Sequence, residues 1–385
     1  MAGRPKKSNV VNTKQNDMLN ELLNNVLKGT KALSEIKKEC SILEWFDTGS
    51  ASLNMLIYGD MFKGIPDNRC FQLVGDPSSS KSYLTKKAMK DAISKGWKIL
   101  YIDTEGDIEP EELENAGLDI SSVYIIDFSK DETGEKKKKK EDDVTGMLTT
   151  KKVINKIVAF IGACKPDSKI MIVVDSIGNL ASSKEVTTAV EGKDTQDMSR
   201  AKDLKALFRM ILNPAYRKRI PILLINHQYE SIGLFTTKKV GGGMGSQFAS
   251  SFIIELYKSQ IKKGEEVIGI TVTAKNKKNR FVQEYKTITF DILFNGGISR
   301  FSGIPELMFQ YNIADKVNMG SKGTAFEIDG EKYALKEMTD DKWLEVIKKH
   351  NINERLSTHF KYSNQKQLKN IYEEIEEIAE ENNEV

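Results

Sequence analysis

The sequence predicts an α/β fold: a mainly parallel sheet extended by antiparallel strands. Three observations predict it. Strand-like apolar runs alternate with helix-compatible stretches over residues 46–300. The run Cys70-Phe71-Gln72-Leu73-Val74 leads straight into Gly75-Asp76-Pro77-Ser78-Ser79-Ser80-Lys81-Ser82, and that segment leads into Tyr83-Leu84-Thr85-Lys86. Two further apolar runs deliver carboxylates, Glu105 and Asp175, to their C-terminal ends. In open α/β sheets that edge is where ligands bind.

Residues 1–45 form a polar leader with one short amphipathic helix, Met18, Leu22, Leu23 and Val26 falling on one face, and a subunit contact is expected of it. Its Gly3-Arg4-Pro5-Lys6-Lys7 is a short match to a basic hook for the minor groove. The segment from Gly75 to Ser82 follows the phosphate-loop pattern G-x-x-x-x-G-K-S/T, with Ser80 in place of the second glycine. A turn of this kind lets successive backbone N–H groups surround a β-phosphate, Lys81 reach the β and γ oxygens, and the Ser82 hydroxyl join a Mg²⁺ shell. Residues 98–104 (KILYIDT) read as a buried strand ending at Glu105, and residues 169–176 (KIMIVVDS) as one ending at Asp175, placed to hold Mg²⁺ directly or through water. Taken singly, either strand is equally a core strand closed by a solvated acid.

A strand is expected at 123–128 and a helix at 150–163; between them Lys136 to Lys140 form either a solvated loop or a patch that attracts phosphate. In the helix starting near Asp197, Leu204, Leu207, Phe208 and Ile211 share one face, leaving Lys202, Lys205 and Arg209 on the other, toward water or phosphates. Strands follow at 252–257, 268–274 and 284–294, and residues 301–385 form a small, mostly helical region with an acidic tail.

The chain has 385 residues, 39% apolar and 29% charged, with a net charge of +3. It has no apolar run long enough to span a membrane and no signal-peptide core at its start, so a cytoplasmic location is expected. Cys40, Cys70 and Cys164 are far apart and form no CxxC pair, which points away from a disulfide framework or a zinc site. The last fifteen residues hold seven glutamates and no basic residue. Such a tail is a solvated helix end or a segment that competes with polyanions for basic surface.

Thr48-Gly49-Ser50-Ala51-Ser52-Leu53-Asn54, Gly64-Ile65-Pro66, the phosphate loop, Asp103-Thr104-Glu105, Val174-Asp175-Ser176 and Ile225-Asn226-His227 resemble, in order, the landmarks of RecA-family strand-exchange recombinases. The stretches VDSIGNLASSKE, DMSRAKDLKALFR and INHQYE, followed by Gly241-Gly242-Gly243, are especially similar to the recombinases of large tailed phages. The match covers residues 46–298 and leaves out leader and tail.

The resemblance implies a RecA-type P-loop NTPase core and an ATP-dependent, DNA-stimulated recombinase. It would assemble as a helical homo-oligomeric filament on single-stranded DNA and exchange strands with homologous duplex, in recombination, repair and recombination-dependent replication. A recombination mediator and a single-stranded-DNA-binding protein are the further partners implied, and the cofactors are ATP and Mg²⁺. By the same resemblance Gly75, Asp76, Pro77, Ser78, Ser79, Ser80, Lys81 and Ser82 bind phosphate, Ser82 and Asp175 serve the metal, and Glu105 orients or deprotonates the attacking water. His227, expected at a strand end before a loop, stands where many RecA proteins have a γ-phosphate-sensing glutamine; the alternative is a histidine packed at a sheet edge.

Two loops would touch DNA. The first, about 183–196, contributes Lys184 and Lys193 and leads to Arg200, the candidate phosphate contact; the second, about 229–247, offers Ile232, Gly233 and Phe235 as a wedge, Lys238 and Lys239 as cations, and Gly241 and Gly242 as flexible backbone. Lys275 and Lys277 match a pair that reaches the neighbouring subunit's γ-phosphate, or else form a basic hairpin tip with Lys278 and Arg280. Where an aromatic ring often stacks on adenine, this chain has Glu109-Pro110-Glu111-Glu112. The rival expectations are a RecA-fold hexameric DNA helicase and a weakly hydrolysing DNA-binding accessory protein.

Overall fold

Strand β1 (Trp45–Phe46), helix α1 (Ala51–Tyr58) and strand β2 (Ile65–Pro66) open the folded unit, β1 and β2 pairing antiparallel. Ser50 starts α1 by accepting a hydrogen bond from the Leu53 N–H, and Gly59, at φ +70°, ends it. This computed structural model describes Glu21 and residues 41–126, 149–182, 184–185, 199–231, 237–240 and 244–362, with backbone alone at 199–200, 229–231, 237–240 and 244. The leader helix, Cys40, Lys136 to Lys140, Lys193, Ile232, Gly233, Phe235, Gly241, Gly242 and the acidic tail lie outside the described residues.

The main sheet then forms from β3 (Cys70–Gly75), helix α2 (Lys81–Ser94), β4 (Lys98–Asp103), helix α3 (Pro110–Asn115), β5 (Val123–Ile125), helix α4 (Thr150–Ala163), β6 (Ile170–Asp175), helix α5 (Ser199–Arg217) and β7 (Ile222–Ser231). After β8 (Thr237–Val240) and helix α6 (Met244–Ala249) come β9 (Phe252–Lys263), β10 (Glu266–Asn279), β11 (Thr287–Leu293) and β12 (Gly297–Ile298). The order across the sheet is β12-β11-β10-β9-β3-β7-β6-β4-β5. Pairing is parallel from β5 through β9 and antiparallel from β9 to β12, as the sequence predicts.

Period-two alternation sorts the sheet's side chains into two cores. Ile99 and Tyr101 of β4, with Phe71, Leu73, Met171 and Val173, face Leu84, Ala88 and Met89 of α2. Leu100 and Ile102, with Ile172, Val174, Ile222 and Leu224, face Val153 and Ile157 of α4 and Leu204, Leu207, Phe208 and Ile211 of α5. Lys202, Lys205 and Arg209 are exposed on the far side of α5, the split its spacing predicts.

Helices α7 (Ile304–Gln310), α8 (Asp340–Lys349) and α9 (Ile352–Phe360) follow, as expected of the C-terminal region. Between α7 and α8 lies a three-stranded antiparallel sheet that the sequence reading did not include: β13 (Asp315–Asn318), β14 (Thr324–Ile328) and β15 (Glu331–Ala334). Phe326 of β14 stacks on Trp343 of α8 with centroids 5.3 Å apart, and Phe301, Ile304, Phe326, Trp343 and Phe360 belong to the same buried cluster as α1 and α2.

Two positions differ from expectation. His227 lies inside β7 rather than at its end: its last partner in the parallel sheet is Gly75, and from Gln228 onward β7 pairs with β8. A strand that outruns its sheet leaves backbone N–H and C=O groups to satisfy, and β8 satisfies them. Lys275 and Lys277 sit within β10, not at a hairpin tip, because β10 stays paired with β9 as far as Asn279.

Candidate active site

The C-terminal ends of β3, β4 and β6, and the point within β7 where it leaves the parallel sheet, bring Gly75, Asp103, Asp175 and His227 to one edge. Gly75 passes the chain into the phosphate loop under close contact. A Cβ there would lie 2.5 Å from Ser79 Oγ and 2.6 Å from the Leu256 carbonyl. Ser78 and Ser80 have φ of +58° and +69°, the left-handed region, and Ser80 is the N-cap of α2. The position that usually carries the motif's second glycine therefore demands a positive φ, and a serine adopts it here.

Lys81 is buried, and its Nζ donates to the carbonyls of Gly75 (3.0 Å) and Asp76 (2.8 Å) and to Ser79 Oγ (3.4 Å). Burial lowers its pKa, against the opposing pull of Asp175 and Glu105. Ser82 Oγ donates to Asp175 Oδ2 (3.0 Å), and the Tyr101 hydroxyl donates to the same oxygen (2.9 Å). Burial is also the main reason the Asp175 carboxyl is raised above its usual value; these two hydrogen bonds work against it. Ser82 and Asp175 place hard oxygen donors side by side at the foot of the phosphate loop, a donor set that suits Mg²⁺ completed by phosphate and water. Among the described residues no group of three His, Cys, Asp or Glu side chains forms a self-sufficient metal centre.

Asp103 shapes the backbone beyond β4. Its carboxylate accepts from the N–H groups of Glu105 (2.9 Å), Gly106 (2.8 Å) and Ile108 (3.1 Å), folding the turn that presents Glu105. Glu105 Oε1 meets two donors, His227 Nε2 at 2.9 Å and Asn179 Nδ2 at 2.9 Å. A carboxylate only accepts, so His227 carries a proton on Nε2 in this contact. Its Nδ1 is buried with no partner among the described residues.

On the far side of the loop Lys277 Nζ bonds Glu255 Oε1 at 2.6 Å; Glu255 is 7% exposed. Lys275, two residues earlier in β10, is exposed and directly opposite Glu255 on β9. Lys278 is not part of a basic turn: it donates to the carbonyls of Gln247 and Phe248 at the end of α6. Glu109 is the N-cap residue of α3 and Pro110 starts it, so the segment that stands where an adenine-stacking ring is often found enters a helix. Arg200, Lys238 and Lys239 have a described backbone only, in α5 and β8, and Lys184 is in a short helical turn.

Tyr101, Asp103, Asn179 and Glu255 were not singled out from sequence, although each leaves a signal. Tyr101 and Glu255 are polar groups inside apolar strands, where a buried hydroxyl or carboxylate needs a partner. Asn179 sits in the quoted stretch VDSIGNLASSKE, and Asp103 ends its strand just before Glu105.

Residues 18–299 match the family described as the RecA N-terminal domain. Over 158 residues, 41% of the chain, the sequence is 34% identical to the "Recombination and repair protein" of Enterobacteria phage T4, and the alignment spans 40% of that protein's length. "Protein RecA" of Mesomycoplasma hyopneumoniae (strain 7448) is 27% identical over 320 residues, 79% of this chain and 86% of the relative. "Protein RecA" of Acholeplasma laidlawii (strain PG-8A) is 26% identical over 348 residues, 86% and 96% of the two chains.

Proposed function

The chain belongs to the RecA family, and on that premise we propose that it is a DNA-dependent ATPase and recombinase that forms a helical filament on single-stranded DNA and exchanges strands with homologous duplex. The observation that carries this reading is the meeting of Lys81 and Ser82, at the start of α2, with Asp175, Glu105 and His227 along one edge of four adjacent strands. Lys81 exchanges its carbonyl partners for β- and γ-phosphate oxygens. Ser82 and Asp175 would hold Mg²⁺, which would supply charge neutralisation at the phosphates. Glu105 orients the attacking water, and His227 carries the state of the γ-phosphate into the β7–β8 hairpin.

Lys275 and Lys277, exposed on β10, supply cations to the site of a neighbouring subunit, so that turnover requires assembly. DNA contacts fall to Arg200, Lys193, Lys238 and Lys239 for phosphates and to Ile232, Gly233, Phe235, Gly241 and Gly242 for opening base stacking. A mediator and a single-stranded-DNA-binding protein act with it, in the cytoplasm of the cell. No helix among the described residues is long and apolar enough to cross a membrane.

The test is ATP turnover with and without single-stranded DNA, over a range of protein concentration and at two salt concentrations. The expected result is stimulation that is cooperative in protein, weakened by salt and lost in Lys275→Ala or Lys277→Ala. Closed rings in electron micrographs would support a helicase instead, and DNA binding without turnover would support an accessory protein.

A further inference from the structure

The two donors on Glu105 come from different places in the chain. Asn179 is the last residue of the 3-10 turn Ile177–Asn179, which follows β6 and stands three residues before Ser182, at the root of the first DNA loop. The turn is fixed from below: Ile177 and Leu180 are 1% and 2% exposed, and the Thr150 N–H donates to the Ala181 carbonyl at 2.8 Å. His227 stands where β7 leaves the parallel sheet for the hairpin with β8, at the root of the second loop. Each side chain reaches across to the same atom, Glu105 Oε1, at 2.9 Å. Among the described residues Oε2 takes no hydrogen bond, and the Glu105 side chain is 27% exposed.

A carboxylate held by one hydrogen bond still swings about its last torsion, whereas two donors converging on one oxygen fix the direction of the other. From this geometry we propose that Asn179 is a positioning residue for hydrolysis. With His227 it clamps Oε1 of Glu105 from the roots of both DNA loops, and this aims Oε2 at the attacking water. The clamp rests on the proposed role of Glu105. It adds the first loop as a second input: displacement at either root removes one of two donors, and Glu105 is aimed only when both are seated. Asn179 is exposed at the protein surface and takes no part in the core, so its replacement leaves the fold intact.

Three variants of the full chain test this, assayed with single-stranded DNA for kcat and KM of ATP, and by DNA binding at equilibrium. Asn179→Ala is expected to lower the DNA-stimulated kcat by about tenfold or more, the loss of one charge-assisted hydrogen bond at a reacting group, with KM for ATP and DNA affinity within twofold of wild type. Asn179→Asp keeps the shape but swaps the donor for a like charge, and is expected to lose at least as much. Full stimulated kcat in both the Ala and Asp variants would overturn the clamp. So would an Asp variant that behaves as wild type beside an impaired Ala variant, because only shape would then matter. Glu105→Gln separates this from the underlying reading: undiminished turnover there would remove the role of Glu105 itself, and the clamp with it.

Discussion

At Gly75 a side chain has no room, whereas at Ser80 a side chain is accommodated but the backbone must take φ +69°. These are different reasons for a glycine, and they predict different outcomes. In Ser80→Gly the left-handed penalty of roughly 1 kcal/mol is relieved, and glycine's added freedom in the unfolded chain costs about as much. Stability is therefore expected to change by less than about 0.5 kcal/mol in urea melts, and affinity for a fluorescent ATP analogue by less than threefold. A tenfold change in affinity would mean that the Ser80 hydroxyl itself engages phosphate.

Asp175 gives a pH dependence at the same scale. Burial raises its carboxyl in the folded protein, so the contribution of this group to the stability of the nucleotide-free protein is greatest below its unfolded value and is lost as pH rises through the folded one. Binding of Mg²⁺ needs the ionised form. Affinity for Mg²⁺ and nucleotide is therefore expected to fall on acidification from neutral, beginning at higher pH than for an ordinary aspartate, and the fall should be absent from the residual binding of Asp175→Asn. An equal fall in both would assign the titration to another group. The sequence exposes Lys81, Ser82 and Asp175 because a motif and a strand end are contiguous in the chain. Tyr101 and Asn179 are joined to the site by the register of β4 against β6 and by the turn that carries Glu105, and the local signal each leaves does not say which group it meets.

At the scale of elements, the C-terminal region is tied to the sheet by a tight turn before α7. Gly303 has φ +85°, and a Cβ there would stand 1.9 Å from the Thr289 carbonyl of β11 and 2.8 Å from Ser52 Oγ at the start of α1. Both neighbours are fixed by their own elements. Gly303→Ala is expected to destabilise the protein by more than about 2 kcal/mol in denaturant melts; a change below about 0.5 kcal/mol would show that this junction yields. The sheet of β13, β14 and β15 was legible in principle. Asp329-Gly330, both at positive φ, is a two-residue hairpin signal between the alternating runs of β14 and β15. The abundance of charge in that region hides the alternation of Phe326 and Ile328 against polar neighbours. The β7–β8 pairing has no such signal, since it depends on how far β7 outruns β3.

At the scale of the molecule, charge is divided along the chain. The total is +3 while the last fifteen residues hold seven glutamates, so residues 1–370 carry a net +10. Removal of residues 371–385 is expected to raise affinity for duplex DNA at low salt, with the gain shrinking as salt rises. Fluorescence anisotropy across a salt series measures this, and an unchanged affinity would mean that the tail does not compete for the DNA surface.

Lys81 enters this balance in another way. All three of its N–H groups are engaged by Gly75, Asp76 and Ser79. Arrival of a triphosphate is thus an exchange of acceptors around an ammonium that is already in place. Little ordering remains to be done, and the heat released on binding should fall short of what a tally of new phosphate contacts would suggest.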